Sequence, residues 1–273
     1  MEVGLACLEI EHIVIPEELY NNPKLTSVSA GLYHRDDALG YEWVRQDLTQ
    51  LLTRSPNLRS LKLRLNADNP HDIAPGPRIP TTQVLHFKDS DPLMSLGSLE
   101  LELYNFEDTG PTSILSHIDT SALQHLSIKF CHSSSQLFEN LSQQPLLLKS
   151  LNLDRLLPAR VPTYEVREPT YDAPLYASVE RFLLSFQGLE RLAITKYGYG
   201  KLMYIYEGLL HHASSLKYLK LDIGDYRPTQ QYTRANFAIP RNAFQDIIGK
   251  CDSLEDLDIY VCVNDLHEAS FHN

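Results

Sequence analysis

The sequence has few cysteines, and their placement excludes several classes of protein. Its four cysteines are Cys7, Cys131, Cys251 and Cys262, and none forms the short CxxC spacing typical of zinc sites and redox motifs. Scattered cysteines also argue against a disulfide framework and favour a reducing compartment. We therefore expect neither a bound metal nor another cofactor.

Long apolar runs are also lacking. No stretch approaches the ~20 apolar residues that a membrane-spanning helix requires. The N-terminal residues include Glu2, Glu9 and Glu11, and no basic segment precedes a long apolar core, so a signal peptide is not indicated. The sequence predicts a protein of the cytoplasm or nucleus that does not associate with membranes.

Basic residues are in the minority. The chain has 24 Lys and Arg against 35 Asp and Glu, which gives a formal net charge of −11. Because phosphate groups are bound by surplus Lys and Arg, this balance disfavours non-specific binding to nucleic acids or anionic membranes. The hydrophobic share of 43% and the charged share of 22% are typical of a globular chain.

Known catalytic spacings are absent as well. The sequence contains no GxGxxG, GxxxxGK[ST], HExxH or GxSxG motif. The pair His211-His212 has no further metal ligands close by, and neighbouring residues such as Cys131 and His132 on a strand would point to opposite faces. These observations favour a non-enzymatic protein. An enzyme with a pocket under the segment 156–177 is the less favoured alternative.

What the sequence does contain is a recurring L-x-x-L-x-L pattern, degenerate in places. Its copies begin at Leu5, Leu25, Leu58, Leu96, Leu123, Leu148, Leu189, Leu216 and Leu254. Several successive copies are ~20–29 residues apart, which is the spacing of leucine-rich repeats. The alternation within each copy predicts a strand that buries one face.

Helical periodicity lies between the predicted strands. One apolar helix face is formed by Val179, Phe182, Leu183 and Phe186, and another by Phe244, Ile247 and Ile248. A single helix–strand unit cannot bury both of its faces, so the units must stack. We predict one α/β domain over residues 1–273, a leucine-rich-repeat solenoid or horseshoe with parallel strands on the concave face and helices on the convex face. A (β/α)8 barrel fits less well, because its units are longer and lack this leucine pattern.

Three irregular insertions interrupt the repeats, at about 66–80, 156–177 and 224–240. Each is rich in proline, tyrosine or both, and each follows a predicted strand and precedes a predicted helix. We therefore expect all three at the same edge of the solenoid. Two interpretations of the insertions fit equally well: they form a Pro/Tyr-rich binding rim, or they are surface loops that the fold tolerates.

The repeats resemble a known family in three segments. These are Ser55–Leu63 (SPNLRSLKL), Ser215–Leu221 (SLKYLKL) and Cys251–Ile259 (CDSLEDLDI). They are similar to the leucine-rich-repeat region of F-box proteins, particularly those of fungal type. The resemblance implies a substrate receptor of an SCF-type ubiquitin ligase, with ubiquitin-ligase components as further partners. Only four residues precede Leu5, so the F-box would be missing from this chain and would lie upstream.

Function would then reside in the side chains that alternate with the buried leucines. These positions carry both charges, including Glu100 and Glu102 on one predicted strand and Asp154 on another. Mixed charges with tyrosines suit the binding of a protein or peptide, since aromatic residues and Arg often contribute most of the binding energy. The predicted partner-binding residues are Lys62, Arg64, Lys129, Arg191, Tyr218, Lys220, Asp256, Asp258 and Tyr260.

Overall fold

The computed structural model describes most of the chain. The described residues are 7–10, 15, 17–33, 38–66, 85, 87–104, 106, 114–131, 133–156, 173–195, 205–222 and 241–259. At 7–10, 32–33, 38–45, 66, 173 and 241–243 only the backbone is described. Outside these residues lie the predicted insertion at 224–240, residues 67–80 of the first predicted insertion and residues 157–172 of the second.

Nine β-strands form a single sheet in the described part of the chain. The strands are β1 (Cys7–Ile10), β2 (Ser27–Tyr33), β3 (Ser60–Asn66), β4 (Ser98–Glu102), β5 (His125–Lys129), β6 (Ser150–Asp154), β7 (Arg191–Thr195), β8 (Tyr218–Asp222) and β9 (Asp256–Ile259). Their order in the sheet is their order along the chain, and every pairing is parallel. The protein is therefore an α/β structure built on one all-parallel sheet.

The register follows the leucine pattern. Leu99 of β4 pairs with Leu126 of β5, and Leu151 of β6 pairs with Leu192 of β7. A one-residue slip would turn every leucine to the opposite face, so burial of these side chains specifies the register strongly.

A second set of contacts fixes where each strand begins. The carbonyl of Lys149, just before β6, accepts hydrogen bonds from the backbone N–H groups of both Glu190 and Arg191, each at 2.9 Å. The same double acceptance occurs at every junction from β2 to β9. Each unit thereby presents one carbonyl to two donors of the next, which leaves few donors unpaired where the chain enters the sheet.

Five α-helices are described. They are α1 (Ala38–Arg54), α2 (Ser134–Leu141), α3 (Ala173–Leu184), α4 (Tyr206–His211) and α5 (Arg241–Lys250). Each of them precedes a strand, and α2, α3 and α4 pack side by side. The close approach of α3 and α4 depends on Gly208, where a Cβ atom would lie only 2.8 Å from the Cβ of Leu183.

The core lies between the sheet and the helices. The inward strand positions from β3 to β8 carry leucine or isoleucine, and all but the terminal Leu65 are buried. Aromatic rings fill the helix side, where Phe182 lies 5.2 Å from both Phe138 and Phe186, measured between ring centroids. Tilted rings at this separation add packing energy beyond the area they bury.

The structure departs from the sequence-based expectation in three places. Between β4 and β5 the described residues form only short 3-10 helices, and the carboxylate of Asp119 caps the second of them by accepting hydrogen bonds from the backbone and hydroxyl of Ser121. Helix α3 already begins at Ala173, inside the predicted insertion. Ile248, predicted to share the apolar face of α5, is 47% exposed.

None of the described helices combines the length and apolar character needed to cross a membrane.

Candidate interaction surface

One face of the sheet is open to solvent. Parallel sheets are normally covered on both faces, yet the side chains that alternate with the buried leucines are half-buried or exposed along β2 to β9 where they are described. We call this surface the open face. From β3 to β9 it consists of Ser60, Lys62, Arg64, Ser98, Glu100, Glu102, His125, Ser127, Lys129, Ser150, Asn152, Asp154, Arg191, Ala193, Thr195, Tyr218, Lys220, Asp222, Asp256 and Asp258.

The first part of the open face carries an ion-pair network. Because Lys62 and Glu100 occupy paired positions, the ammonium of Lys62 lies 3.0 Å from the Glu100 carboxylate. Lys129, on the other side, reaches the same oxygen at 2.9 Å. Arg64 and Glu102, also paired, lie 3.4 Å apart. Lys62, Arg64 and Lys129, three of the five basic residues predicted to bind a partner, therefore already contact acids of neighbouring strands.

Glu100 is the centre of this network. Burial raises the pKa of its carboxyl group, but the hydrogen bonds and the positive charges of Lys129 and Lys62 together outweigh burial, and the pKa lies below its ordinary value. The carboxylate is consequently held charged between two ammonium groups.

The middle of the open face is held by hydrogen bonds that involve neutral side chains. The amide of Asn152 donates to the hydroxyl of Ser127 at 3.1 Å, between β6 and β5. The hydroxyl of Thr195 donates to the carboxylate of Asp154 at 2.7 Å, between β7 and β6. These contacts orient polar groups at the surface without adding a basic charge.

The last three strands place an aromatic residue on the open face. The guanidinium of Arg191 lies 4.3 Å from the ring centroid of Tyr218, which fits a cation–π contact. In the neighbouring row, Lys220 donates a hydrogen bond to the carboxylate of Asp258. This hydrogen bond raises the pKa of Lys220, and the charge of Asp258 adds to the effect.

The predicted partner-binding residues can now be located. Lys62, Arg64, Lys129, Arg191, Tyr218, Lys220, Asp256 and Asp258 all lie on the open face. Tyr260 lies outside the described residues. The structure brings the eight together on one surface but spreads them over five strands, β3, β5, β7, β8 and β9. Whether they bind a partner stays a prediction.

The carboxyl edge of the sheet has a feature that the sequence analysis missed. Leu103, Phe130 and Arg155, each directly after a strand, have positive φ angles of 61°, 54° and 48°. Each N–H donates to the carbonyl that ends the following strand. The Arg155 guanidinium lies 4.9 Å from the centroid of the Phe130 ring. No sequence signal marks these positions, because glycine or asparagine normally occupies the left-handed region.

Two of the candidate nucleophile and metal-binding residues, Cys131 and His212, are buried. Within the described ranges, no three His, Cys, Asp or Glu side chains are grouped so that they could hold a metal ion. The thiol of Cys131 is buried and lies 3.2 Å from the Lys129 carbonyl, as suits a packed structural cysteine. His212 is buried against Phe186, with ring centroids 4.8 Å apart. His132 is outside the described residues.

Comparison with known proteins gives no match. No protein-family model matches the sequence, and neither a curated protein nor a solved structure is significantly similar to it. A function can therefore be inferred only from the surface of the protein itself.

Proposed function

We propose that the protein is a non-enzymatic interaction module. In this proposal the stacked units form a leucine-rich-repeat solenoid, and the open face, on its concave side, binds a protein or peptide. The observation that carries the proposal is a parallel sheet whose second face is polar and uncovered by the described residues.

The chemistry of the open face supports such a role. Ion pairs such as Lys62–Glu100 and Arg64–Glu102 hold long side chains in place before any partner arrives. Side chains that are already ordered lose less conformational entropy on binding. Arg191 and Tyr218 supply an adjacent arginine and aromatic ring, and these residue types are enriched where binding energy is concentrated.

The test removes this pair and leaves the sheet intact. A tagged full-length chain is used to capture partners from cells that express it, and the captured proteins are quantified by mass spectrometry. The variant Arg191→Ala/Tyr218→Ala is expected to reduce capture of specific partners by about tenfold or more, the loss typical of central interface residues.

The matched control removes an exposed pair from the helix layer. Arg181 of α3 and Glu139 of α2 form an ion pair at 3.1 Å. The variant Arg181→Ala/Glu139→Ala should capture the same partners as the wild type. Equal capture by wild type and both variants, with all three proteins folded, would count against the open face as the binding surface.

The ubiquitin-ligase role remains a proposal that rests on the resemblance alone. The three similar segments occupy equivalent places in the fold, each leading into a strand: β3, β8 and β9. This supports a common repeat and says nothing of a ligase. Sequencing the transcript upstream of the codon for Met1 tests the role, since it requires an F-box there.

A further inference from the structure

The terminal strand β9 differs from the strands inside the sheet. Among the described residues β9 pairs with β8 alone, whereas β8 is paired on both sides. Leu219 and Leu221 of β8 are fully buried, but their partners Leu257 and Ile259 in β9 are only half-buried. Within the described part of the chain, the outer edge of β9 therefore offers both backbone hydrogen-bonding groups and apolar side chains.

The charge of this edge is entirely acidic. Asp252, Glu255, Asp256 and Asp258 are exposed. The sequence from Cys251 to Asn273 contains no lysine or arginine at all. Among the described residues, Lys220 of the neighbouring strand binds Asp258, and Lys217 at the entry of that strand binds Glu190.

Elsewhere in the sheet, neighbouring strands match charge with opposite charge. Lys62 meets Glu100, Glu100 meets Lys129, and Arg64 meets Glu102 across adjacent strands. Opposite charges at directly paired positions stabilise strand association, and like charges oppose it. The acids at the β9 edge would therefore stabilise a neighbouring strand that carries basic side chains.

We propose that an extended, basic segment of a partner protein adds to β9 as a further strand of the sheet. Its lysine or arginine residues would lie beside Asp256 and Asp258, and its intervening apolar residues would cover Leu257 and Ile259. Strand addition of this kind takes affinity from main-chain hydrogen bonds and specificity from alternate side chains. The inference rests on the proposed interaction role and names the class of partner at one end of the surface.

A second copy of the chain fits the same edge poorly. If β1 of another copy continued the sheet in the existing register, Glu9 would stand directly opposite Asp258. An antiparallel pair of β9 strands would set aspartates beside aspartates. Residues 260–273 of the same chain also lack lysine and arginine and add Asp265 and Glu268. Charge thus favours a different, basic chain.

The experiment measures peptide binding to the full-length protein by fluorescence anisotropy. The probe is a labelled ten-residue peptide in which lysine alternates with valine, and its counterpart alternates glutamate with valine. The lysine peptide should bind and the glutamate peptide should not. Binding should also weaken as salt is raised, because the paired charges are exposed.

Two further peptides test for strand addition. Each replaces one of two adjacent central residues by proline, which removes a backbone N–H. Because adjacent N–H groups point to opposite sides of a strand, at least one of the two peptides must lose a hydrogen bond to β9. That peptide should bind about fivefold to tenfold more weakly, as expected for one lost hydrogen bond.

Variants then locate the site. Asp256→Lys should weaken binding of the lysine peptide by about fivefold, since an attractive cross-strand pair becomes repulsive. Asp89→Lys makes the same charge change at an exposed turn far along the chain and should leave binding unchanged. Equal weakening by both variants would mean that only net charge matters, and undiminished binding by both proline peptides would exclude strand addition. Either result overturns the inference.

The result of the peptide experiment can be distinguished from the result of the partner-capture experiment. If the lysine peptide fails to bind but Arg191→Ala/Tyr218→Ala still abolishes partner capture, the edge inference fails and the open face remains a binding surface. If the peptide binds as expected while capture is unaffected by that double variant, the edge is a site and the open face is not.

Discussion

The inner units and the terminal unit of the sheet share one sequence pattern but differ in how well they are buried. In the unit that ends in β7, Leu189, Leu192 and Ile194 are each at most 1% exposed. In the unit that ends in β9, Leu254, Leu257 and Ile259 occupy the corresponding positions and are half-buried. The difference lies in the neighbours: β7 is flanked by β6 and β8, whereas β9 has only β8 beside it among the described residues.

The helices repeat this contrast. Leu183 of α3 is fully buried because α4 packs closely against it at Gly208. Ile248 of α5 occupies a similar place late in its helix and remains 47% exposed. A leucine-rich pattern therefore sets the register of a strand, while the amount of apolar surface that it buries depends on the units on both sides.

The largest expected effect comes from truncating a leucine in an inner unit. Leu192→Ala leaves a cavity where Leu192 was fully buried and should lower the free energy of unfolding by about 4 kcal/mol. The equivalent Leu257→Ala should cost about 1 kcal/mol, because the side chain already contacts solvent and its surroundings can relax. Urea unfolding followed by circular dichroism measures both.

These two variants form a matched pair, because the residue type and the position in the repeat are the same. Equal losses of unfolding free energy would show that β9 is as well packed in solution as β7, and the contrast between inner and terminal units would be lost.

The second effect concerns His212, which directly follows α4 and packs against the ring of Phe186. Neither of its ring nitrogens makes a hydrogen bond of ordinary geometry within the described part of the chain. Burial lowers the pKa of His212 to about 4, and the neighbouring His211 adds to this, while the Leu183 backbone opposes it. The folded protein thus keeps this imidazole neutral at pH values where an unfolded chain would protonate it.

The sign of the pH dependence follows directly. Below the ordinary pKa of 6.5, His212 binds a proton in the unfolded chain. In the folded chain it stays neutral until the pH falls to about 4. His212 therefore lowers the free energy of unfolding by up to about 3 kcal/mol as the pH falls from 6.5 to 4. In His212→Leu that contribution should vanish, so its unfolding free energy should fall less steeply over this window. An identical pH profile for wild type and variant would contradict a buried, neutral His212.

A smaller effect is expected from the ion-pair network of the open face. Glu100→Gln removes the charge that Lys62 and Lys129 share and should lower the free energy of unfolding by about 1 kcal/mol at pH 7. Because the pKa of Glu100 is lowered, its contribution is present above the ordinary value of 4.5 and disappears as pH falls through the folded value.

The matched variant at the end of the sheet is Asp258→Asn. Within the described part of the chain Asp258 pairs with Lys220 alone, and it is more exposed than Glu100, so a smaller loss is expected. Thermal unfolding at low and high salt compares the two variants. A loss at Asp258 as large as that at Glu100 would contradict the assignment of Glu100 as the centre of the network.

Much of the sheet could be predicted from the sequence, because the leucine pattern is itself the physical cause of the register. The pairing of Leu151 with Leu192, and the common face of Lys62, Glu100 and Lys129, follow from alternation alone. The contacts between these side chains could not be predicted, because Glu100 could have contacted Lys62, Lys129, both or neither.

Other features left no trace in the sequence. The positive φ angles of Leu103, Phe130 and Arg155 occur at residue types that rarely adopt them, so only the backbone reveals them. Among the described residues between β4 and β5, short 3-10 helices take the place of the expected helix, and Asp119 caps the second of them. Leu85 and Phe87 are spaced like the inward residues of a strand, yet both are buried at positions that are not in a strand.

The smallest expected effect tests the terminal helix. Ile248→Lys places a charge at a half-exposed position of α5 and should change the free energy of unfolding by less than about 0.5 kcal/mol. The matched Leu183→Lys in α3 would bury an unpaired ammonium beside Gly208 and should cost several kcal/mol or prevent folding. Urea unfolding compares them. If Ile248→Lys were also severely destabilising, its side chain would have to be covered in solution, and α5 would belong with the inner helices after all.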